Sequence, residues 1–414
     1  MKSPPASDRI RVLFVDNSFE FGGAILSLAD LVGRLPELGV DPVVVSAQPA
    51  EVLKHLFPRV TWISERPALS WVDPDPFVGS GGAEAARSLS MPVRLLRSAY
   101  WAIRGELRPA FRFREIGRQY RVHLVHLNNS PHSQIAAALA APLLGVPCVA
   151  HSRGVPEVAG VSDRLRNRLP DLHIGISSAV TARLLANGVA AARVRTIHNP
   201  VNLEQFSPGE PPQTLREEMR IPTTCRVIGL FGRIVPFKGV LEFLRAFAVV
   251  VRTVPSAVAL IVGDRSDGPA EYERQVRALI DELDLGAHVI MAGFRRDVAE
   301  LLKLCDVLAL TSLGDEGFGR VLVEAMACGV PVVATNSGGP LDIVRDGVDG
   351  YLRDPRDTMA FANALTVLLA SDEVRAQFAA RARARAVDHF SSRAHAEQVV
   401  DTYRSLLVRA STGR

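Results

Sequence analysis

Two glutamates carry the densest chemistry in this 414-residue chain. Glu316 and Glu324 are separated by seven residues in the run 311–332, TSLGDEGFGRVLVEAMACGVPV. Glu316 falls in a glycine-flanked loop after an expected strand, so its carboxylate and the nearby amides point to a ligand opening. Gly317 and Gly319 let the backbone approach that ligand closely. Glu324 falls one turn into an expected helix and faces the same opening. Two carboxylates so placed can hold two sugar rings by their hydroxyls. A lone pair at this spacing also arises by chance on a helix face; the full string around it is much more specific.

A second run, 230–239, reads LFGRIVPFKG. A strand is expected to end at Phe231, with Arg233 and Lys238 emerging from the loop before a helix. Cations beside a helix N-terminus suit a diphosphate. Lysine occurs only as Lys2, Lys54, Lys238 and Lys303 in an arginine-biased chain, so a lysine here hints at a need for a compact ammonium. Gly22-Gly23 lacks the third glycine of a dinucleotide fingerprint, and no GxxxxGK[ST] occurs, which disfavours a nicotinamide enzyme and a P-loop ATPase. Asp73-Pro74-Asp75 has the DxD spacing of some metal-dependent sugar transferases. It lies in a proline-rich stretch with no third ligand at hand and reads as turn chemistry. No metal site and no cofactor are expected.

The elements that must position these residues follow from short apolar runs alternating with helical periodicity. In the first half, strands fit 11–16, 43–46, 122–127, 147–151, 172–176 and 194–197, and the stretch 62–87 reads as loop. A proline-rich linker covers 199–212. In the second half, strands fit 227–231, 257–262, 289–292, 307–310 and 330–334. Helices fit 240–252, 272–283, 298–304, 320–328 and 357–369 between and after them. The expected fold class is α/β, with two parallel-sheet domains of similar size and the ligand in a cleft at the carboxyl ends of the strands. The expected boundaries are 1–200, 201–388 and a C-terminal helix over 389–414.

Composition narrows the class further. Apolar residues make up 48% and charged residues 22%, which supports large cores and excludes global disorder. The four cysteines, Cys148, Cys225, Cys305 and Cys328, form no CxxC pair, and a reducing compartment is the simpler reading. The start, MKSPPASDRI, lacks a signal-peptide core, and the longest apolar run, 135–150, is too short and too broken to span a bilayer. The expected location is cytoplasmic. The net charge of +4 is uneven: nine arginines between Arg87 and Arg121 face only Glu106 and Glu115, leaving the rest of the chain acidic. Over 91–104, Val93, Leu96, Tyr100 and Ile103 share one helical face and Arg94, Arg97 and Arg104 another. That pattern suits an anionic membrane surface, a solvated face over a packed stripe, or the wall of an anionic substrate's cleft. No nucleic-acid motif is present.

These residues carry a resemblance. The second half resembles the retaining glycosyltransferases of family 4, which have the GT-B fold. It does so through Gly232-Arg233, Lys238-Gly239, Gly263-Asp264, Gly293-Phe294, Glu316-Gly317-Phe318-Gly319, Glu324-Ala325, Gly329-Val330-Pro331 and Gly338-Gly339. The first half matches more loosely, at Gly22-Gly23, His151, Ser177-Ser178 and Asn199-Pro200 through Phe206-Ser207-Pro208. The resemblance implies two Rossmann-like domains with parallel sheets facing a central cleft, and a C-terminal helix that returns to the first domain. It implies a hexosyltransferase that moves a sugar from a nucleoside diphosphate sugar to a glycan or lipid-linked acceptor. The reaction needs no metal and proceeds by front-face attack, with a donor phosphate oxygen taking the acceptor's proton.

Residue by residue, the resemblance implies that Arg233 and Lys238 bind the donor diphosphate and stabilise the leaving group. Glu324 binds the ribose hydroxyls, and Glu316, with the amides of Phe318 and Gly319 beside Gly317, holds the transferred sugar. The backbone near Phe294 meets the base, Gly22 and Gly23 leave room for phosphates and acceptor, and His151 contacts the sugar near the reacting carbon. Ser152-Arg153-Gly154 and the stretch 62–121 follow no family pattern, so the acceptor is not legible. Two alternatives share the architecture: a nucleotide-sugar binding protein without transferase activity, and a nucleotide-sugar epimerase.

Overall fold

The computed structural model describes residues 9–18, 22–65, 106–156, 160–265 and 270–412. It divides into two compact units. The first comprises the chain up to Ile176, Val180–Ile197 and the stretch from His395 onward; the second comprises Ser177–Ala179 and His198–Ala394.

The first unit is built on seven parallel strands in the order β3-β2-β1-β4-β5-β6-β7. They are β1 Ile10–Asp16, β2 Val40–Ser46, β3 Thr61–Ser64, β4 Leu124–Leu127, β5 Cys148–Ser152, β6 Leu172–Gly175 and β7 Val194–Thr196. Strand side chains alternate between faces. Val12 and Phe14 therefore join a core with Leu28, Leu31 and Tyr403, while Leu13 and Val15 join another with Phe113, Ala137 and Val125. Both faces are covered, which is why the strands read as unbroken apolar runs. The helix Ser392–Ser411 supplies Ala396, Val399, Val400, Tyr403 and Leu406 to the first of these cores, at i, i+3, i+4, i+7 and i+10.

Six parallel strands form the second sheet, in the order β10-β9-β8-β11-β12-β13. Their ranges are β8 Arg226–Phe231, β9 Ala257–Val262, β10 Val289–Gly293, β11 Val307–Leu310, β12 Val332–Thr335 and β13 Gly350–Arg353. Phe243, Phe247 and Phe361 lie in the core on one face with Ala259 and Ile261.

Three of the elements that depart from the expectations above are informative. The expected loop over 62–87 begins with strand residues: Trp62 pairs with Val44 at the edge of the first sheet. Four residues, two half-buried and two exposed, paired on one side leave too weak a pattern to read. The short edge strand β13, Gly350–Arg353, escaped for the same reason. The helix Asp372–Phe390 buries only Phe378, Ala382, Ala386 and Phe390, a single narrow stripe in an arginine-rich sequence. Asp73, Asp75 and the helix expected over 91–104, with Arg87, Arg94, Arg97 and Arg104, lie outside the described residues. The basic segment continues into the helix Arg108–Gln119, which buries Ala110, Phe113, Ile116 and Gly117. Among the described residues all four cysteines are free thiols, and no helix is long and apolar enough to cross a membrane.

Candidate functional site

In the second unit, the loops at the carboxyl ends of the strands are tied to one another through their backbones. The Gly232 amide donates to the Val262 carbonyl at 2.9 Å, and the Gly263 amide to Gly293 at 2.8 Å. Ile234 donates to the Asp264 carbonyl at 2.7 Å, and Leu313 to Phe237 at 2.8 Å. Thr311 Oγ1 donates to the Lys238 carbonyl at 2.9 Å. Gly339 donates to the Glu316 carbonyl at 2.7 Å. Gly232, Gly239, Gly263, Gly293 and Gly339, all picked out in the sequence, belong to this row. At Gly239, with φ +63°, an added Cβ would lie 2.0 Å from the Thr311 carbonyl oxygen. That glycine is required by the approach of two loops.

Lys238 and Glu316 meet at the centre of the row. Lys238 closes the one-turn helix Pro236–Lys238 after β8, and Glu316 lies in the loop after β11. The ammonium donates to Glu316 Oε2 at 2.6 Å, and Ser312 Oγ donates to the same oxygen at 2.7 Å. Their side chains are 21% and 14% exposed. Burial pushes the Glu316 pKa up. The Lys238 charge and the hydrogen bonds from Lys238, Ser312 and the Gly317 amide outweigh it, and the carboxyl is held below its ordinary value. The carboxylate is therefore favoured in its charged form, partly dry and fixed by a third group. Ser312 was not singled out in the sequence; its signal is a hydroxyl just past a strand, four residues before the glutamate.

The remaining residues of this unit are placed as follows. Glu324 sits on the helix Arg320–Ala327, is 8% exposed and accepts from Arg320 at 3.2 Å. Phe318 is buried and stacks on His198 at 6.0 Å, with Phe390 edge-on at 5.9 Å. Its ring anchors the loop, and Gly319 begins the helix with φ +89°. Phe294 follows β10 and is 52% exposed, and Arg233 is exposed in the loop after β8. No cluster of three metal-ligating side chains occurs among the described residues.

The first unit holds Gly22, Gly23 and His151. Gly22 caps the helix Gly23–Arg34 after β1, and nothing lies within 4 Å of where a Cβ would stand. His151, on β5, is fully buried. His395 stacks on it at 5.8 Å, and His126 lies edge-on at 5.4 Å, itself bonded through Nδ1 to the Tyr403 hydroxyl at 2.8 Å. His151 is thus one member of a polar cluster of three imidazoles and a phenol in this unit.

Comparison with known proteins gives three findings. Residues 212–385 match the family model Glycosyl transferases group 1, and residues 21–205 match Glycosyltransferase Family 4. The D-inositol 3-phosphate glycosyltransferase of Corynebacterium urealyticum is 34% identical over 221 residues, 52% of each chain. The chain thus spans about half the length of this relative. The UDP-Gal:alpha-D-GlcNAc-diphosphoundecaprenol alpha-1,3-galactosyltransferase of Escherichia coli is 26% identical, covering 70% of this chain and 77% of that one. Anabaena Alr3699/HepE, solved in complex with UDP, superposes with a TM-score of 0.77 at 25% identity, covering 96% of this chain and all of that one.

Proposed function

The chain belongs to glycosyltransferase family 4, with the GT-B fold, and from that premise we propose that it transfers a sugar from a nucleoside diphosphate sugar to a glycan or lipid-linked acceptor. The observation that carries this reading is the Lys238–Glu316–Ser312 cluster at the carboxyl ends of the second sheet. Breaking the glycosidic bond leaves negative charge on the diphosphate. An ammonium held in a partly dry site favours that state over the ground state, because it needs no reorganisation when the charge appears. Lys238 and Arg233 supply that charge. Glu316 and the amides of Phe318 and Gly319 hold the sugar, Glu324 holds the ribose, the backbone near Phe294 meets the base, and His151 meets the sugar. Transfer retains the anomeric configuration by front-face attack, a donor phosphate oxygen takes the acceptor's proton, and no metal takes part.

The test is a thermal-unfolding panel with UDP, GDP, ADP and their sugar conjugates, in EDTA and in magnesium. One nucleoside diphosphate raises the midpoint by several degrees, equally in both, because ligand at about 100 times its Kd stabilises by about 2.7 kcal/mol. No shift with any of them overturns the reading; a shift only with magnesium overturns its metal-free form.

The acceptor reading extends to a peripheral location at the cytoplasmic face of an anionic membrane. It is supported by the helix Arg108–Gln119 and its first flanking residue: Leu107 and Phe111 are 43% and 54% exposed, on the side that also carries Arg108 and Arg118. Apolar residues among arginines suit such a surface. Changing Arg108, Phe111 and Arg118 together to glutamate lowers co-sedimentation with phosphatidylserine vesicles by at least about tenfold. Equal sedimentation of the variant and the wild type would refute it.

A further inference from the structure

Arg153 follows β5 by one residue and belongs to no motif identified in the sequence. Its Nε donates to Asn128 Oδ1 at 2.9 Å, and one terminal nitrogen lies 3.3 Å from His151 Nε2. Asn128 is itself held: its amide nitrogen donates to Asp16 Oδ1 at 2.8 Å and to the Ala24 carbonyl at 3.2 Å. A chain of hydrogen bonds therefore runs from the end of β1 and the glycine turn, through Asn128 and Arg153, to the imidazole. A guanidinium can only donate. The ring nitrogen facing it must accept, so the ring's proton sits on the other nitrogen. That nitrogen, His151 Nδ1, is buried and has no hydrogen-bond partner among the described residues.

We propose that Arg153 is a positioning residue that fixes His151 with its single proton on Nδ1, so that the ring offers a donor to the transferred sugar. The inference rests on the reading of His151 as the residue that meets that sugar. Among the described residues three titratable groups face the ring: Arg153 from the loop after β5, His126 from β4 and His395 from the C-terminal helix. Burial first, then the charge of Arg153 and the two neighbouring imidazoles, keeps the pKa of His151 well below 6.5. The same guanidinium thus selects the tautomer and helps to keep the second proton off. A protonated ring would place two donors toward Arg153 and the sugar, and the contact with the guanidinium would become repulsive.

Nitrogen-15 labelling of histidine and a two-bond proton–nitrogen correlation spectrum read this directly, with the His151 signal identified by its loss in His151→Gln. Wild type shows the Nδ1–H form and does not titrate between pH 5.5 and 8. In Arg153→Met, which keeps the apolar stem, the Nε2–H form appears, the ring takes up a second proton at higher pH than in wild type, and the acid limb of transfer moves up in pH. An Nε2–H ring in the wild type overturns the proposal without any variant, and so does an unchanged ring in a folded Arg153→Met. The spectrum needs no turnover. A correct tautomer that fails to respond to any nucleoside diphosphate sugar overturns the sugar contact and leaves the Arg153 pairing standing.

Discussion

Lys238→Ala lowers the turnover of sugar transfer by about 10²–10³, the usual cost of losing one preorganised donor to a developing charge. Two consequences separate this role from a packing role. The first is kinetic. If the ammonium acts on the leaving group, the loss appears in kcat, and donors with a better leaving group recover part of it. The second is a stability effect with a defined pH dependence. The folded-state pKa of Glu316 is held below its ordinary 4.5, with Lys238 the largest lowering cause. The pair therefore stabilises the fold above the unfolded carboxyl's pKa, and the contribution is lost as pH falls through the lowered folded value. At pH 7, Lys238→Ala leaves a carboxylate that is 14% exposed with only Ser312 and the Gly317 amide, at a cost of about 1–3 kcal/mol. That difference from wild type shrinks as the pH falls through the carboxyl range. Turnover near the wild-type level in the variant would remove Lys238 from the mechanism. A stability difference that grows with acid would mean that Lys238 does not hold the ionised carboxylate.

Much of the second unit was legible because its local signals agree. β9 and β11 fall where their apolar runs place them, and Glu316 and Lys238, chosen by residue type and loop position, make contact at 2.6 Å. The agreement has limits of physical origin. Lysine scarcity singled out Lys238, yet Lys303, equally scarce, forms an ordinary i,i+3 pair with Glu300 at 3.0 Å. Rarity alone carries little, and the loop before a helix gave the hint its weight. Arg153 could not be found from sequence, because its significance lies in contacts with Asn128 and His151 that only the adjacent carboxyl ends of β4 and β5 create. Phe318 was read through its amide; the stack on His198 joins residues 120 positions apart and left no periodic trace.

Gly338→Ala abolishes most of the activity while leaving every charged side chain of the site in place. Gly338 has φ +72°, and its backbone forms a parallel bridge with Glu316. A Cβ there would lie 2.3 Å from the Glu316 carbonyl oxygen and 2.6 Å from its amide nitrogen. Those atoms belong to backbone and cannot swing away, so the loop that carries the carboxylate must move. A displacement of about 1 Å in a catalytic group costs about 10²-fold in rate. The left-handed backbone adds about 1–2 kcal/mol of strain for a residue with a Cβ. Gly347 separates the two effects: it has the same φ of +72°, and nothing lies within 4 Å of where its Cβ would stand. Gly347→Ala should therefore lower the unfolding midpoint and leave kcat at the wild-type value, whereas Gly338→Ala should lower both. Equal losses of kcat in the two variants would trace the effect to backbone strain and not to the position of Glu316. Wild-type kcat in Gly338→Ala would mean that the loop tolerates the shift, and that the carboxylate is not held to the tolerance the proposed chemistry demands.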